Sequence, residues 1–106
     1  LAAHYAPRTP LELVASSDLA GRISALRARG AKLAVMSRAA PRAPIAHWEP
    51  AEQDPRAYAR ALYRSLRRLD AAGADRILVE AVHDTGPWAA IADRLARAQA
   101  TFEEAP

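Results

Sequence analysis

The feature that most constrains the fold is a repeated pairing of an amphipathic segment with a short, wholly apolar run. Residues 33–36 and 77–79 contain no polar side chain. Continuous apolar runs of this length are typical of strands in a parallel sheet that is buried on both faces. Each run follows a segment that ends near a glycine, Gly30 or Gly73, and glycine readily takes the left-handed conformation that closes a helix. The sequence therefore predicts a helix followed by a buried strand, twice.

The first helix is indicated by apolar residues at helical spacing. Leu19, Ile23 and Leu26 fall at i, i+4 and i+7, which places them on one face of a helix. Serine is a favoured residue at the position before a helix, so we expect Ser16 or Ser17 to cap this one with its hydroxyl.

Two further helices follow the same pattern. Asp54 followed by Pro55 is typical of a helix start, with a capping carboxylate and proline at the first helical position. Residues 85–87 (Thr-Gly-Pro) are expected to open the last helix. The buried faces expected of these two helices consist of Tyr58, Leu62, Leu66 and Leu69 in the first, and Trp88, Ile91, Ala92 and Leu95 in the second.

Strands are expected at residues 11–15, 32–37, 45–49 and 77–80, alternating with the helices. Such alternation predicts an α/β domain, a small Rossmann-like three-layer fold with a mainly parallel sheet of about four strands and three main helices. We divide the chain into a linker at residues 1–10, which carries two prolines, the domain at residues 11–100, and a frayed tail at residues 101–106.

The composition sets limits on the class of protein. With 106 residues, the chain has room for one hydrophobic core, and 51% hydrophobic with 25% charged residues is typical of a globular domain. No apolar run is long enough for a membrane span. No cysteine is present, so stability must come from packing, which fits a cytoplasmic protein. Because the chain begins at Leu1 rather than Met, we expect a fragment or a processed product.

Basic residues on the second helix are a possible contact for nucleic acid. The net charge is only +3, and fourteen of the fifteen cationic residues are arginine. The arginines predicted on the outer face of this helix are Arg56, Arg60, Arg64, Arg67 and Arg68. Such a row could contact phosphates of tRNA, but no aromatic residue is interleaved to stack on bases. A solvated helix face is the alternative interpretation.

A second candidate site lies at the carboxyl ends of the strands, where ligands usually bind in open parallel sheets. Arg38, Glu80 and Gly86 are the candidate residues there, and they could hold a small ligand near the start of the last helix. No glycine-rich phosphate loop is present, so ordinary structural roles for these residues remain the alternative. The three histidines stand in separate segments, so we predict no metal site.

Five segments carry a resemblance to a known family. Residues 4–10 read His-Tyr-Ala-Pro-Arg-Thr-Pro, residues 54–63 match a D-P-x-x-Y-A-x-x-L-Y helix, and residues 66–75 match L-R-x-L-D-x-x-G-x-D. Residues 77–80 and 90–95 match the closing strand and helix. In this order the segments resemble the long-form L-threonylcarbamoyladenylate synthases, a YrdC/YciO-related family. In that family a His-Tyr-x-Pro linker joins a YrdC-like catalytic domain to a small Rossmann-like domain.

The resemblance implies a parent enzyme that joins L-threonine, bicarbonate and ATP, with magnesium, into threonylcarbamoyl-AMP for threonylcarbamoyladenosine modification of tRNA. Its catalytic residues lie in the YrdC-like domain of the same polypeptide. For this chain the resemblance therefore implies an accessory domain with no catalytic residue and no cofactor of its own. One departure is Gly86-Pro87-Trp88, where many relatives read G-L-G.

The linker is the only part of the family's functional machinery that the resemblance places in this chain. His4, Tyr5 and Pro7 match the segment thought to lie across the catalytic cleft, so we expect them to form a lid. A linker that merely spaces two domains is the alternative. A module that binds tRNA or another protein of the pathway, a small-ligand sensor at the strand ends, and an oligomer also remain open.

Overall fold

The structure is a computed structural model that describes residues 6–103, with side chains as far as residue 99. Its strands and helices are β1 (Leu11–Val14), α1 (Leu19–Ala28), β2 (Leu33–Ser37), β3 (His47–Pro50), α2 (Pro55–Asp70), β4 (Arg76–Glu80) and α3 (Ala89–Glu103). The four strands form one sheet in the order β1-β4-β2-β3, and every neighbouring pair is parallel. The predicted α/β fold with a parallel four-stranded sheet and three helices is confirmed.

The strand order explains why helices cover both faces of the sheet. The chain passes over β4 on its way from β1 to β2, and it passes back over β2 on its way from β3 to β4. Crossovers of one hand that run in opposite directions place their helices on opposite faces. Accordingly α2 and α3 pack on one face, and α1 packs on the other beside the β2–β3 connection.

Buried side chains of β2 and β4 form the centre of both core layers. Successive residues of a strand point to opposite faces, so Ala34 and Ile77, which are in register, face α2 and α3, whereas their neighbours Val35 and Leu78 face α1. All four are fully buried. Burial on both faces is the physical reason that these two strands contain no polar residue between their ends.

The second helix begins and packs as its sequence predicts. The Asp54 carboxylate accepts a hydrogen bond from the backbone N–H of Ala57 at 2.9 Å, and Pro55 is the first residue of α2. The predicted inner face is buried throughout: Tyr58, Leu62, Leu66 and Leu69. No helix in the described residues 6–103 is long and apolar enough to span a membrane.

The predicted serine cap of the first helix is wrong. Residues Ser16–Asp18 form a turn of 3₁₀ helix before α1, and neither element receives a side-chain cap hydrogen bond. The Ser16 hydroxyl instead accepts a hydrogen bond from Arg38 at 2.7 Å. A partner distant in sequence has therefore taken the hydroxyl that local reasoning assigned to the helix terminus.

Some predicted boundaries also shift. Strand β3 begins at His47 rather than at residue 45, and Ile45 packs into the core on the α1 face from the preceding loop. A 3₁₀ turn at Gly86–Trp88 precedes α3. That helix continues to Glu103, so the segment 101–106, predicted as a frayed tail, starts as helix.

Candidate functional site

The predicted linker is held against the domain at the amino end of the sheet. Asp70 is the last residue of α2, and its carboxylate accepts hydrogen bonds from the backbone N–H of Arg8 at 3.1 Å and of Thr9 at 2.9 Å. The Thr9 hydroxyl donates to the same carboxylate at 2.8 Å. Pro7 is buried, and the Pro10 carbonyl accepts the N–H of Ile77 at 2.8 Å. We call Asp70 and residues 7–10 together the linker anchor.

The linker anchor includes one of the three predicted lid residues. Pro7 lies in it, whereas His4 and Tyr5 lie outside the described residues. Asp70 was not among the predicted site residues, although it belongs to the L-R-x-L-D segment of the family resemblance. Its partners are more than sixty positions away in the sequence, and no local signal marks such a contact.

Two of the three strand-end candidates meet at the carboxyl ends of β2 and β4. The backbone N–H of Arg38 donates to Glu80 Oε1 at 2.8 Å, its Nε donates to the same oxygen at 3.2 Å, and its Nη2 donates to Oε2 at 3.0 Å. Burial alone would raise the pKa of Glu80, but the hydrogen bonds from Arg38 outweigh it and hold that pKa below its usual value. Glu80 is therefore ionised at neutral pH.

A cleft of about 160 Å³ opens beside this ion pair, and we call it the strand-end cleft. It lies where the connections leaving the two central strands go to opposite faces, which is the usual place for a ligand in an open parallel sheet. Gly86 is outside its lining, two residues before Trp88. The lining consists of Arg38, Ala51, Glu52, Gln53, Tyr58, Glu80, Ala81, Val82, His83 and Trp88.

Tyr58 lines the strand-end cleft and was predicted only as a core residue. Its side chain is 3% exposed, and its ring packs edge-on against Trp88 with the ring centroids 5.4 Å apart. Its hydroxyl has no hydrogen-bond partner among the described side chains and backbone groups. Burial, reinforced by the charge of Glu80, raises the pKa of Tyr58, so the hydroxyl keeps its proton. Two sequence signals mark Tyr58: it is a tyrosine within a leucine stripe, and it is the first tyrosine of the D-P-x-x-Y-A-x-x-L-Y match.

The predicted basic face is present on α2. Arg56, Arg60, Arg64 and Arg67 are all exposed, and their spacing places them in one row along the helix. Arg68, which was grouped with them, instead donates to the buried carboxylate of Glu49 at 3.1 Å. The same carboxylate bonds to His47 Nε2 at 2.7 Å.

In the described part of the chain, no three His, Cys, Asp or Glu side chains are grouped closely enough to hold a metal ion. The strand–helix crossovers carry no glycine-rich loop of the kind that holds a triphosphate.

Together, a parallel sheet with helices on both faces and a crevice at its carboxyl edge define a small Rossmann-like α/β domain. The family model for the threonylcarbamoyl-AMP synthase C-terminal domain matches residues 1–100, and the chain belongs to this family. The resemblance drawn from the linker and helix motifs is thereby confirmed.

Solved structures agree with this assignment. A variant of P. abyssi Sua5 with one His→Ala and one Tyr→Ala substitution superposes with a TM-score of 0.78 at 24% identity, over 89% of this chain and 28% of that one. P. abyssi Sua5 complexed with L-threonine gives 0.77 at 26% identity, over 92% and 30%. The C-terminal Sua5 domain of a hypothetical Pyrococcus horikoshii Sua5 protein gives 0.67 at 26% identity, over 86% and 93%.

The chain therefore spans less than a third of the two P. abyssi proteins and nearly all of the isolated P. horikoshii domain. Among curated proteins, no sequence matches the chain significantly.

Proposed function

We propose that this domain anchors the linker of a threonylcarbamoyl-AMP synthase, so that His4, Tyr5 and Pro7 act as a lid over a YrdC-like catalytic domain of the same polypeptide. The observation that carries the proposal is the set of three hydrogen bonds from residues 8 and 9 to Asp70. The His-Tyr-Ala-Pro segment directly precedes these residues. Family membership supports the same assignment.

Anchoring one end of a lid has a clear energetic benefit. A segment that is free at one end loses conformational freedom when it orders over a ligand, and fixing that end beforehand reduces the loss. Pro7 and Pro10 restrict the backbone further, since each ring fixes φ. A lid that closes over a catalytic cleft excludes water, which protects a reactive acyl adenylate from hydrolysis. The linker anchor would therefore favour the closed, water-free form of the enzyme.

In this proposal the chemistry takes place outside the chain described here. L-threonine, bicarbonate, ATP and magnesium would bind to the catalytic domain, and the product would serve threonylcarbamoyladenosine modification of tRNA in the cytoplasm. This domain would contribute position rather than catalytic groups.

The direct test compares variants of the full-length enzyme. Tyr5→Ala should lower the rate of threonylcarbamoyl-AMP formation without lowering the melting temperature, because a lid residue contacts the ligand rather than the core. Asp70→Ala should lower the same rate by releasing the lid from its anchor. Asp93→Ala, an exposed change on α3, is the control. Wild-type rates in both Tyr5→Ala and Asp70→Ala would contradict the proposal.

Calorimetric titration separates an accessory domain from a nucleotide-binding one. ATP with magnesium and L-threonine is titrated into this chain and into the full-length protein. Binding to the full-length protein alone is expected, because the described residues of the domain lack a phosphate cradle. Tight ATP binding by this chain would contradict the accessory role.

The exposed arginine row on α2 favours a second candidate function, contact with tRNA. Arg56, Arg60, Arg64 and Arg67 lie on one face with no acidic residue between them in α2, and each arginine that neutralises a phosphate releases counterions. Double charge reversal at Arg60 and Arg64 to glutamate should then abolish tRNA binding. The matched control reverses Arg27 and Arg29 at the end of α1, on the opposite face of the sheet. No measurable tRNA affinity at low salt would dismiss this function.

A further inference from the structure

The strand-end cleft presents hydrogen-bond donors that the domain itself does not use. Arg38 is the first, with its side chain about half exposed at 47%. Its Nε and Nη2 groups donate to Glu80 and Ser16, whereas its Nη1 makes no hydrogen bond within residues 6–99. The ion pair thus fixes the guanidinium plane and leaves one nitrogen free for a further acceptor.

The second unused donor is the hydroxyl of Tyr58. It is buried, keeps its proton, and has no partner in the described part of the chain. Buried polar groups in native proteins are almost always hydrogen-bonded, and an exception calls for an explanation such as a missing ligand. The edge-on contact with Trp88 holds the tyrosine ring in place, and both residues line the strand-end cleft.

Two donors that line one small cleft favour an anionic oxygen pair, and a carboxylate fits this arrangement. The charges around the cleft narrow the class of ligand that it could bind. Arg38 and Glu80 neutralise each other, whereas Glu52 is exposed and has no ion pair among the described residues. Apart from His83, the lining carries a net charge of −1, which disfavours a phosphate dianion and favours a ligand that also carries a positive group.

The volume sets the size of the ligand. The cleft of about 160 Å³ is smaller than the ~300–1,000 Å³ that is usual for pockets of drug-sized ligands, so it suits a compact molecule.

We propose that the strand-end cleft binds a small zwitterionic α-amino acid, with its carboxylate on Arg38 Nη1 and the Tyr58 hydroxyl and its ammonium group toward Glu52. Trp88, with its aromatic face, is a further partner for the ammonium group. The site lies at the carboxyl edge of the sheet, and the linker anchor lies at the amino edge. It therefore does not depend on the lid function proposed above.

The test titrates L-serine and L-threonine into the isotope-labelled chain and follows backbone amide resonances by NMR. We expect saturable shifts confined to the residues that line the cleft, namely Arg38, residues 51–53, Tyr58, residues 80–83 and Trp88. Acetate and methylammonium, which each represent half of the zwitterion, should bind at least about tenfold more weakly because each makes only part of the contacts. Because the catalytic domain is absent from this chain, binding by that domain cannot produce the signal.

Three variants assign the contacts. Tyr58→Phe should weaken amino-acid binding about tenfold, as expected for the loss of one hydrogen bond to a charged group, with the spectrum otherwise unchanged. Glu52→Gln should weaken amino-acid binding but should leave acetate binding equal or stronger, because it removes a negative charge from the lining. Arg42→Gln, an exposed change in the β2–β3 loop, is the control for loss of one positive charge and should leave binding unchanged.

Several results would overturn the proposal. One is the absence of saturable shifts with either amino acid at millimolar concentration. Another is binding of acetate or inorganic phosphate as tightly as L-serine, which would indicate a simple anion site. A third is unchanged affinity in Tyr58→Phe, which would remove the hydroxyl from the site.

Discussion

The two ends of the parallel sheet differ in how completely their polar groups are paired. At the amino end, the carboxylate of Asp70 accepts hydrogen bonds from Arg8 and Thr9, and that of Asp75 accepts the N–H of Lys32 at 2.7 Å. At the carboxyl end, the buried hydroxyl of Tyr58 has no partner within residues 6–99. The amino end therefore fixes the position of the chain, whereas the carboxyl end retains a hydrogen-bond donor for another molecule.

Turn chemistry contributes to the closed amino end. Gly30 and Gly73 have φ values of 84° and 71° and lie between a helix and the strand that follows. Such φ values are costly for other residues. The turns bring Lys32 and Asp75 together, and the Asp75 N–H donates to the Lys32 carbonyl at 2.8 Å. The two central strands thus begin from a fixed position.

The largest effect that would test this comparison is expected at the amino end. Asp70→Ala removes an acceptor of three hydrogen bonds and should lower the free energy of unfolding by about 2–3 kcal/mol, since bonds to charged groups are the stronger kind. Urea unfolding of this chain with a constant m value measures the change.

The control for that experiment is Asp93→Ala. The Asp93 carboxylate pairs with Arg97 at 3.0 Å on the surface of α3, and both side chains are largely exposed. Surface pairs of this kind contribute about 0.5 kcal/mol or less. If Asp70→Ala lowers the free energy of unfolding by no more than Asp93→Ala does, the amino end is not the more completely bonded of the two ends of the sheet.

An effect of opposite sign is expected at the carboxyl end. Tyr58→Phe removes a buried hydroxyl that has no described partner, so it should raise the free energy of unfolding of the ligand-free chain by about 1 kcal/mol. Thermal unfolding of Tyr58→Phe and of Tyr63→Phe, a half-buried tyrosine of the same helix, gives the comparison. A loss of stability in Tyr58→Phe would mean that the hydroxyl is satisfied, and the contrast between the two ends would disappear.

The smallest effect concerns pH. The pKa of Glu80 is lower in the folded chain than the usual value of 4.5. The ion pair with Arg38 therefore contributes stability that is present above that value and is lost as the pH falls through the lowered pKa. Because Arg38 is half exposed, the contribution at neutral pH should be under about 1 kcal/mol.

The corresponding measurement is urea unfolding of wild type and Glu80→Gln between neutral pH and about pH 3. Glu80→Gln should be slightly less stable at neutral pH and should lose less stability on acidification. Some acid sensitivity should remain, because hydrogen bonds from Arg22 also hold the pKa of Glu12 below its usual value. Parallel curves of the free energy of unfolding against pH for the two proteins would show that the ionised form of Glu80 is not stabilised by its partners.

Features set by local sequence were predictable. The apolar runs of β2 and β4 follow from burial on both faces, and Asp54 with Pro55 marks the start of α2. The meeting of Arg38 with Glu80 follows from a general rule, since the carboxyl ends of neighbouring parallel strands lie together.

Features set by contacts distant in sequence were not predictable. Ser16 was assigned to a helix cap because its competing partner, Arg38, lies twenty-two positions away. Asp70 shows no local sign that it bonds to Thr9. For Tyr58, helical spacing predicts the burial of the ring correctly, but it carries no information about whether the hydroxyl finds a partner.

The position of Asp70 has a mechanical consequence. Strand β1 lies at the edge of the described sheet and pairs with β4 alone. Tension applied directly to β1 would therefore tend to break its hydrogen bonds to β4 one after another. The hydrogen bonds to Arg8 and Thr9 come earlier along the chain and bear such tension first. They pass it to α2, which packs across the core through Leu62 and Leu66. A pull on the linker therefore reaches the helix layer before it reaches strand β1.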